Sequence, residues 1–393
     1  MGRRLHVVGL PHSEASAAFS ADAYMGKHRR FVPMMMSLGY EVFSYAGEHS
    51  DMDATEHVVV SSDEDKRRWF GSFDHHKDFF PITWGPGESH WVESNNNAIR
   101  EIGERILPGD VVCLIAGVCQ QQIALAFPDN PVVEYGIGYT GTFADFRVFE
   151  SYAHMHYCYG LANYDNGRFY DAVVPNFFDP NEFYLSDKED YFVFLGRFIP
   201  RKGPEVAVEA TRRMGARLIM AGQGATQRGD TVYANDGSMS LSGAHISHIG
   251  HVDVQQRAEL LSKARGVFMP TTYLEPFGGV SIEALLSGTP VIASDFGVFS
   301  ETIPHGVAGF RFRTVGEAVA GALRVGELDP VMVRQYAVDN FSVDRVKLLY
   351  DDYFDQVGTL FMSPVHSDGF RRDGFYSDWF GRGDRYAKVG LCG

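Results

Sequence analysis

Short apolar runs alternate with helix-spaced segments along the first half of the chain. Leu5–Leu10 reads as an apolar strand, the pattern of a strand buried on both faces. Ala23–Leu38 places Phe31, Met34, Met35 and Leu38 on one side of a helix, and Gly39 stops it. Tyr40–Tyr45 predicts the next strand. A helix follows over Asn95–Ile106, a strand over Asp110–Ala116, a helix over Gln120–Phe127 and a strand over Pro131–Tyr135. Such alternation implies a parallel sheet covered by helices on both faces.

The second half repeats the style. Strands are predicted at Tyr191–Leu195, Arg217–Ala221, His248–Gly250, Gly266–Met269 and Pro290–Ala293. Helices are predicted at Pro204–Met214, Asp253–Ala264, Gly279–Leu286 and Val315–Val325. This is a second doubly wound α/β unit. Between the halves, Val173–Phe192 holds Pro175, Asn176, Pro180 and Asn181, then a charged run at Asp187–Asp190. Turn formers followed by charge mark a linker. The boundary falls near residue 186, giving domains over 1–185 and 186–344. Residues 341–362 form an amphipathic helix, and the last stretch reads as an irregular tail.

Length and composition fit this picture. A chain of 393 residues predicts two or three domains. Its 45% apolar and 22% charged content is that of a globular protein, not a fibrous or disordered one. The net charge of −15 argues against a general nucleic-acid coat or a basic membrane-surface protein. No apolar run reaches the roughly 18–20 residues needed to cross a bilayer, and Pro11 ends the first apolar run before it becomes a secretory signal. The four cysteines, Cys113, Cys119, Cys158 and Cys392, form no CxxC pair. The expectation is a reduced cytoplasmic protein with buried thiols.

Candidate chemistry concentrates in the second half. In Thr271–Ile303, Glu275 and Glu283 are separated by seven residues, with a Pro/Gly turn at Pro276–Gly279 before a helix. A helix start offers bare N–H groups and a positive dipole end, which suit a phosphate. Gly278 and Gly279 let an anion come close to the backbone. Leu195–Gly203, LGRFIPRKG, follows a strand and carries Arg197 and Lys202. Two cations there suit a diphosphate without a metal. Gly222 and Gly224 flank a turn after the next strand, and His248–Val252 offers backbone to a flat base.

These pieces resemble family 4 of the glycosyltransferases, retaining enzymes of GT-B fold: two Rossmann-like doubly wound domains facing a central cleft. The family's Gly-Arg…Lys-Gly loop, Gly-x-Gly turn and Glu-x7-Glu motif match Gly196-Arg197…Lys202-Gly203, Gly222-Gln223-Gly224 and Glu275…Glu283, followed by Gly288-Thr289-Pro290-Val291. The likeness is strong over 173–355 and diffuse over 1–172. The resemblance implies that Arg197 and Lys202 hold the nucleotide diphosphate, that Glu283 binds the ribose, and that Glu275 contacts sugar hydroxyls. It implies that the backbone of Phe277, Gly278, Gly279 and Val280 caps the distal phosphate and sugar, and that His251 and Val252 lie near the base. It also implies that residues 345–393 pack back on the first domain.

The first domain supplies candidates for the acceptor side. His12, Ser13 and Glu14 follow the first strand, either as acceptor contacts or as a loop in which Ser13 or Ser16 starts a helix. Tyr135–Gly160 carries Tyr139, Arg147, Glu150, His154 and His156. Arg147 with Glu150 reads either as acceptor contacts or as a helix-surface pair, and His154 either as an acceptor contact or as an interior histidine. Lys27–Arg30, Lys66–Arg68 and Arg371-Arg372 are basic runs, either solvated or receptive to an anionic acceptor. No metal site is expected: Asp51-Met52-Asp53 has suitable spacing but lies in a polar loop.

The expected activity is metal-independent transfer of a sugar from a nucleoside diphosphate, UDP-hexose ahead of GDP-mannose, to a hydroxyl acceptor. A small or glycan-like acceptor ranks ahead of a lipid head group or a hydroxymethylated DNA base. A sugar-nucleotide epimerase and a non-catalytic nucleotide-sugar-binding module are the competing readings.

Overall fold

A computed structural model describes residues 3–19, 22–72, 74, 81–165, 167 and 170–361. Two parallel sheets organise them. The first contains β1 (Arg4–Val8), β2 (Glu41–Gly47), β3 (Glu56–Ser61), β4 (Val111–Leu114), β5 (Val132–Ile137), β6 (Phe146–Phe149) and β7 (Ala172–Val173). Their order is β3-β2-β1-β4-β5-β6-β7. Side chains alternate across the sheet. Leu5 and Val7 meet α1 (Ala23–Met36) and α12 (Val343–Phe361), whereas Val8, Phe43 and Tyr45 meet α3 (Ser89–Gly103) and α4 (Gln121–Ala126). Helices α2 (Asp63–Phe70) and α5 (Tyr152–Leu161) complete this lobe.

The second sheet contains β8 (Phe192–Leu195), β9 (Leu218–Ala221), β13 (Ile246–His248), β14 (Gly266–Met269), β15 (Val291–Ser294) and β16 (Gly309–Phe312), in the order β13-β9-β8-β14-β15-β16. One face packs on α7 (Val254–Lys263), α8 (Gly279–Leu286) and α11 (Pro330–Phe341), the other on α6 (Pro204–Met214) and α10 (Val315–Arg324). Between β9 and β13 sits an antiparallel meander of β10 (Ala225–Arg228), β11 (Thr231–Ala234) and β12 (Ser240–Ser242). A short α9 (Phe299–Thr302) follows β15.

The chain crosses between lobes twice, and the crossings touch. Phe178 N donates to Phe341 O at 2.9 Å, and Val343 N donates to Phe178 O at 3.0 Å. Beyond that point α12 buries Val346, Tyr350, Tyr353, Phe354, Val357 and Leu360 in the first lobe.

Several boundaries differ from the sequence reading. The helix expected over 341–362 starts at Val343, because Ser342 is extended and separates it from α11. The strand expected at His248–Gly250 ends at His248, since Gly250 turns with φ of +78°. Asp22, not Ser13 or Ser16, caps α1 by accepting from the Tyr24 and Met25 amides. Arg147 lies in β6, so it forms no helix-surface pair with Glu150. The tail with Arg371-Arg372 and Cys392 lies outside the described residues. Among the described residues no helix is long and apolar enough to cross a membrane.

Candidate active site

Three loops at the C-terminal ends of β8, β9 and β13 are stitched together by backbone. Gly196 N donates to Ala221 O at 3.0 Å, Phe198 N to Gln223 O at 3.1 Å, and Gly222 N to Gly250 O at 2.8 Å. A Cβ on Gly222 would lie 2.0 Å from Gly196 O, so only glycine permits this crossing. His248 Nε2 lies 3.1 Å from Gly222 O. A carbonyl only accepts, so Nε2 carries the proton, and burial lowers the ring's pKa. His251 is half-buried, whereas Val252 is buried in the apolar core beside Ala258 and Leu261.

Lys202 ends a short turn ahead of Gly203, whose φ of +67° and approach to Pro270 O exclude a side chain. The Lys202 ammonium donates to both Glu275 oxygens, at 2.8 and 2.7 Å. It also lies 5.4 Å from the centre of the Tyr273 ring, over which Arg201 sits at 4.6 Å. Burial raises the pKa of the Tyr273 phenol, Glu275 adds to that rise, and the Arg197 charge opposes it. The same Arg197 charge acts on Tyr24 of the first lobe. Arg197 follows the end of β8, on the same side of the sheet as the loop after β14 that carries Glu275.

Glu275 leads into the turn that starts α8. Gly278 takes φ of +76°, and a Cβ there would meet the Phe299 ring at 2.8 Å. Phe277 is buried against Phe341 and anchors the turn in the core. No side chain among the described residues caps α8, so Gly279 and Val280 begin a helix with the bare amides that suit an anion. One turn in, Glu283 Oε1 accepts from Arg257 Nη1 at 2.7 Å. Glu283 Oε2 is buried and has no hydrogen-bond partner among the described residues. A carboxylate oxygen in that position is set to accept from a hydroxyl.

The first-lobe candidates are held by their own lobe. His12 Nε2 lies 3.1 Å from Asp22 Oδ2, and its ring meets Phe70 and Trp84 edge-on. Burial pushes the Asp22 carboxyl up, but hydrogen bonds led by His12 bring it below its ordinary value. Ser13 is fully buried. Glu14 pairs with Lys66 and accepts from His49 N and Ser50 Oγ, both at 3.2 Å. Tyr139 donates to Glu134 at 3.1 Å, and the Glu134 carboxyl is pushed up by burial. Arg147 forks onto Asp171 at 3.0 and 2.5 Å. The buried His154 places Nε2 2.9 Å from Tyr139 O.

The run Lys27–Arg30 is not a solvated face. Lys27 is buried, donating to Gly136 O at 2.7 Å and pairing with Glu150. His28 is buried with Nε2 2.8 Å from Ser44 Oγ. Arg29 pairs with Asp51, and Arg30 lies 4.7 Å over the Phe178 ring. Lys27 lies four residues before Phe31, on the helix's apolar stripe; that spacing was the sequence signal for its burial. Residues absent from the sequence candidates touch the candidate loops: Ser151 donates to Pro276 O, Arg257 to Glu283, Tyr24 to Gly138 O, and Tyr273 lies under Lys202. One group of metal-ligand spacing is present among the described residues, Glu48, His49 and Asp63, and it lies largely exposed on the first lobe.

With this geometry in view, comparison with known proteins is informative. Residues 177–329 match the family model described as Glycosyl transferases group 1. An uncharacterized glycosyltransferase of Methanocaldococcus jannaschii is 34% identical over 176 residues, which is 43% of this chain and 42% of that protein. The phosphatidyl-myo-inositol mannosyltransferase of Mycobacterium tuberculosis is 29% identical over 195 residues, 44% of this chain and 50% of that protein. The chain thus spans about half the length of these curated relatives.

Solved structures match across both lobes. AviGT4, a glycosyltransferase involved in avilamycin A biosynthesis, superposes with a TM-score of 0.65 at 20% identity, covering 90% of this chain and 98% of its own. Sucrose-phosphate synthase of Thermosynechococcus elongatus gives 0.62 at 17% identity, with coverage of 90% and 98%. HepE of Anabaena, in complex with UDP and glucose, gives 0.60 at 15% identity, with coverage of 90% and 99%. At such identities the likeness is one of fold, and the fold is GT-B.

Proposed function

We propose that this protein is a retaining glycosyltransferase that moves a sugar from a nucleoside diphosphate to a hydroxyl acceptor without a metal ion. The reading is supported by the Lys202–Glu275 contact ahead of the uncapped start of α8, on the strand ends that Arg197 also follows. Departure of a sugar from a diphosphate leaves negative charge on the leaving phosphate. Fixed cations and helix amides stabilise that charge as it develops, which is often the largest catalytic contribution. Arg197 and Lys202 take that role, and the amides of the Phe277–Val280 turn hold the distal phosphate. Glu283 accepts from the ribose through its open oxygen, and Glu275 orients sugar hydroxyls.

In a same-face mechanism the acceptor hydroxyl attacks the anomeric carbon from the side the phosphate leaves. The departing phosphate oxygen takes the acceptor's proton, so no protein nucleophile is consumed. A UDP-hexose is the favoured donor, in keeping with the UDP bound to HepE, and GDP-mannose stands behind it. A glycan or small-molecule acceptor is favoured, because a net charge of −15 opposes polyanions. The lipid named for the mycobacterial relative keeps a lipid head group as the alternative.

The test is incubation with UDP-glucose, UDP-N-acetylglucosamine and GDP-mannose without acceptor. Slow release of free nucleotide is expected from one of them. Tight binding without release would make the chain a binding module, and conversion to an epimeric sugar would make it an epimerase.

A further inference from the structure

Helix α5 of the first lobe begins where the second lobe meets it, and its first amides are satisfied from both sides. A helix start leaves its leading N–H groups without intrahelical partners. Tyr152 N donates to Glu301 Oε2 at 2.9 Å, and Ala153 N to Glu301 Oε1 at 2.6 Å. Glu301 belongs to α9 of the second lobe, and its negative charge faces the positive end of α5. The third amide, His154 N, goes to Ser151 Oγ at 3.1 Å. The Ser151 hydroxyl in turn donates to Pro276 O at 2.7 Å, again across the boundary.

Pro276 sits in the turn between Glu275 and the start of α8. Its carbonyl and the Phe277 N–H belong to one planar peptide unit, so fixing one fixes the direction of the other. The hydroxyl of Ser151 therefore sets the orientation of the first amide of the turn assigned above to the distal phosphate. Packing backs the contact: a Cβ on Gly138 of the first lobe would lie 3.3 Å from Pro276 Cβ. All three cross-lobe hydrogen bonds break together if the cleft opens, and the exposed Glu301 then exchanges its amide donors for water.

We propose that Ser151 and Glu301 are positioning residues that couple closure of the cleft to the alignment of the Phe277–Val280 amides. The proposal rests on the donor-site reading above. Hydrogen exchange of the full chain, without any ligand, tests the coupling. In Glu301→Ala and Ser151→Ala, exchange should quicken by about tenfold or more at 152–154 and also at 277–280. Glu301→Gln, which keeps one acceptor, should fall between.

Nucleotide-sugar hydrolysis supplies the second readout. In both alanine variants kcat should fall by roughly 10- to 100-fold, as misplaced binding groups do, with donor KM changed by less than about twofold. Faster exchange confined to α5, with 277–280 unchanged, overturns the proposal, as does an unchanged kcat. If the wild-type chain hydrolyses no nucleotide sugar, the transferase reading fails, while the exchange pattern still decides whether the lobes are coupled.

Discussion

The Lys202 ammonium and the Glu275 carboxylate face each other squarely, with both oxygens within 2.8 Å of the nitrogen. The cation proposed to hold phosphate is thus already matched with an anion. An incoming diphosphate has to share the ammonium with Glu275 or draw it away. Lys202→Ala should therefore lower kcat by about 10²- to 10³-fold. Glu275→Gln removes the competitor, so UDP should bind several-fold tighter by calorimetry while turnover falls. Weaker UDP binding in that variant would contradict the arrangement.

Glu283 divides its oxygens between Arg257 and an open, buried position. A ribose contact made in both ground and transition states affects binding rather than chemistry. Glu283→Ala should raise donor KM by roughly 10- to 100-fold, since a hydrogen bond to a charged group contributes about 1.5–3 kcal/mol, and leave kcat nearly unchanged. Initial-rate kinetics decide the split.

Metal independence is the third expectation, grounded in the two basic side chains proposed to hold the diphosphate. Turnover in EDTA should match turnover in Mg²⁺. An absolute requirement for a divalent ion would refute the assignment of Arg197 and Lys202.

The Lys27–Glu150 pair is buried on both sides. Burial lowers the lysine's pKa, and Glu150 opposes that shift. Removing one partner strands the other, so Lys27→Met should cost about 3–5 kcal/mol of stability. Lys27→Met with Glu150→Gln should recover a large part of that loss. Urea unfolding of the single and double variants measures the coupling.

His28 is buried to the point that its pKa falls to about 3. The ordinary value is about 6.5, so the unfolded chain binds the extra proton first. The stability held by neutral His28 is complete above the unfolded value and is lost progressively as pH falls from about 6.5 towards 3. At pH 5 the loss from this one ring is roughly 2 kcal/mol. Burial lowers the pKa of His6, His154 and His248 in the same direction. Urea midpoints should drop between pH 7 and pH 5, and less steeply in His28→Gln.

The elements that were legible in the sequence are those whose burial left a pattern. Gly266–Met269 and Pro204–Met214 are apolar on every position or on one clean stripe, and their bounds match the structure. The meander β10–β12 was not legible, because its strands are three or four residues long, too short for the alternation that buries Val232, Ala234 and Leu241 to stand out among Thr, Gln, Arg and Ser. At the site, glycines and charges at strand ends marked the second-lobe loops. Ser151 and Glu301 left no mark, since a serine and a glutamate at helix ends are ordinary until the partner lobe is in place. Lys27 sits in a run of three cations and a histidine, which reads as surface, although only helix phase tells which of them turn inward.

The adjacent crossings at Phe178 and Val343 carry a consequence for how the molecule is made. The opening sheet emerges early in synthesis, yet the helix that seals its apolar floor is supplied only after the whole second lobe has been translated. What is begun first is finished last. A fragment stopping before Val343 would leave Phe31 and Phe177 facing water where Tyr350 and Phe354 belong, so single cuts cannot yield an intact first half.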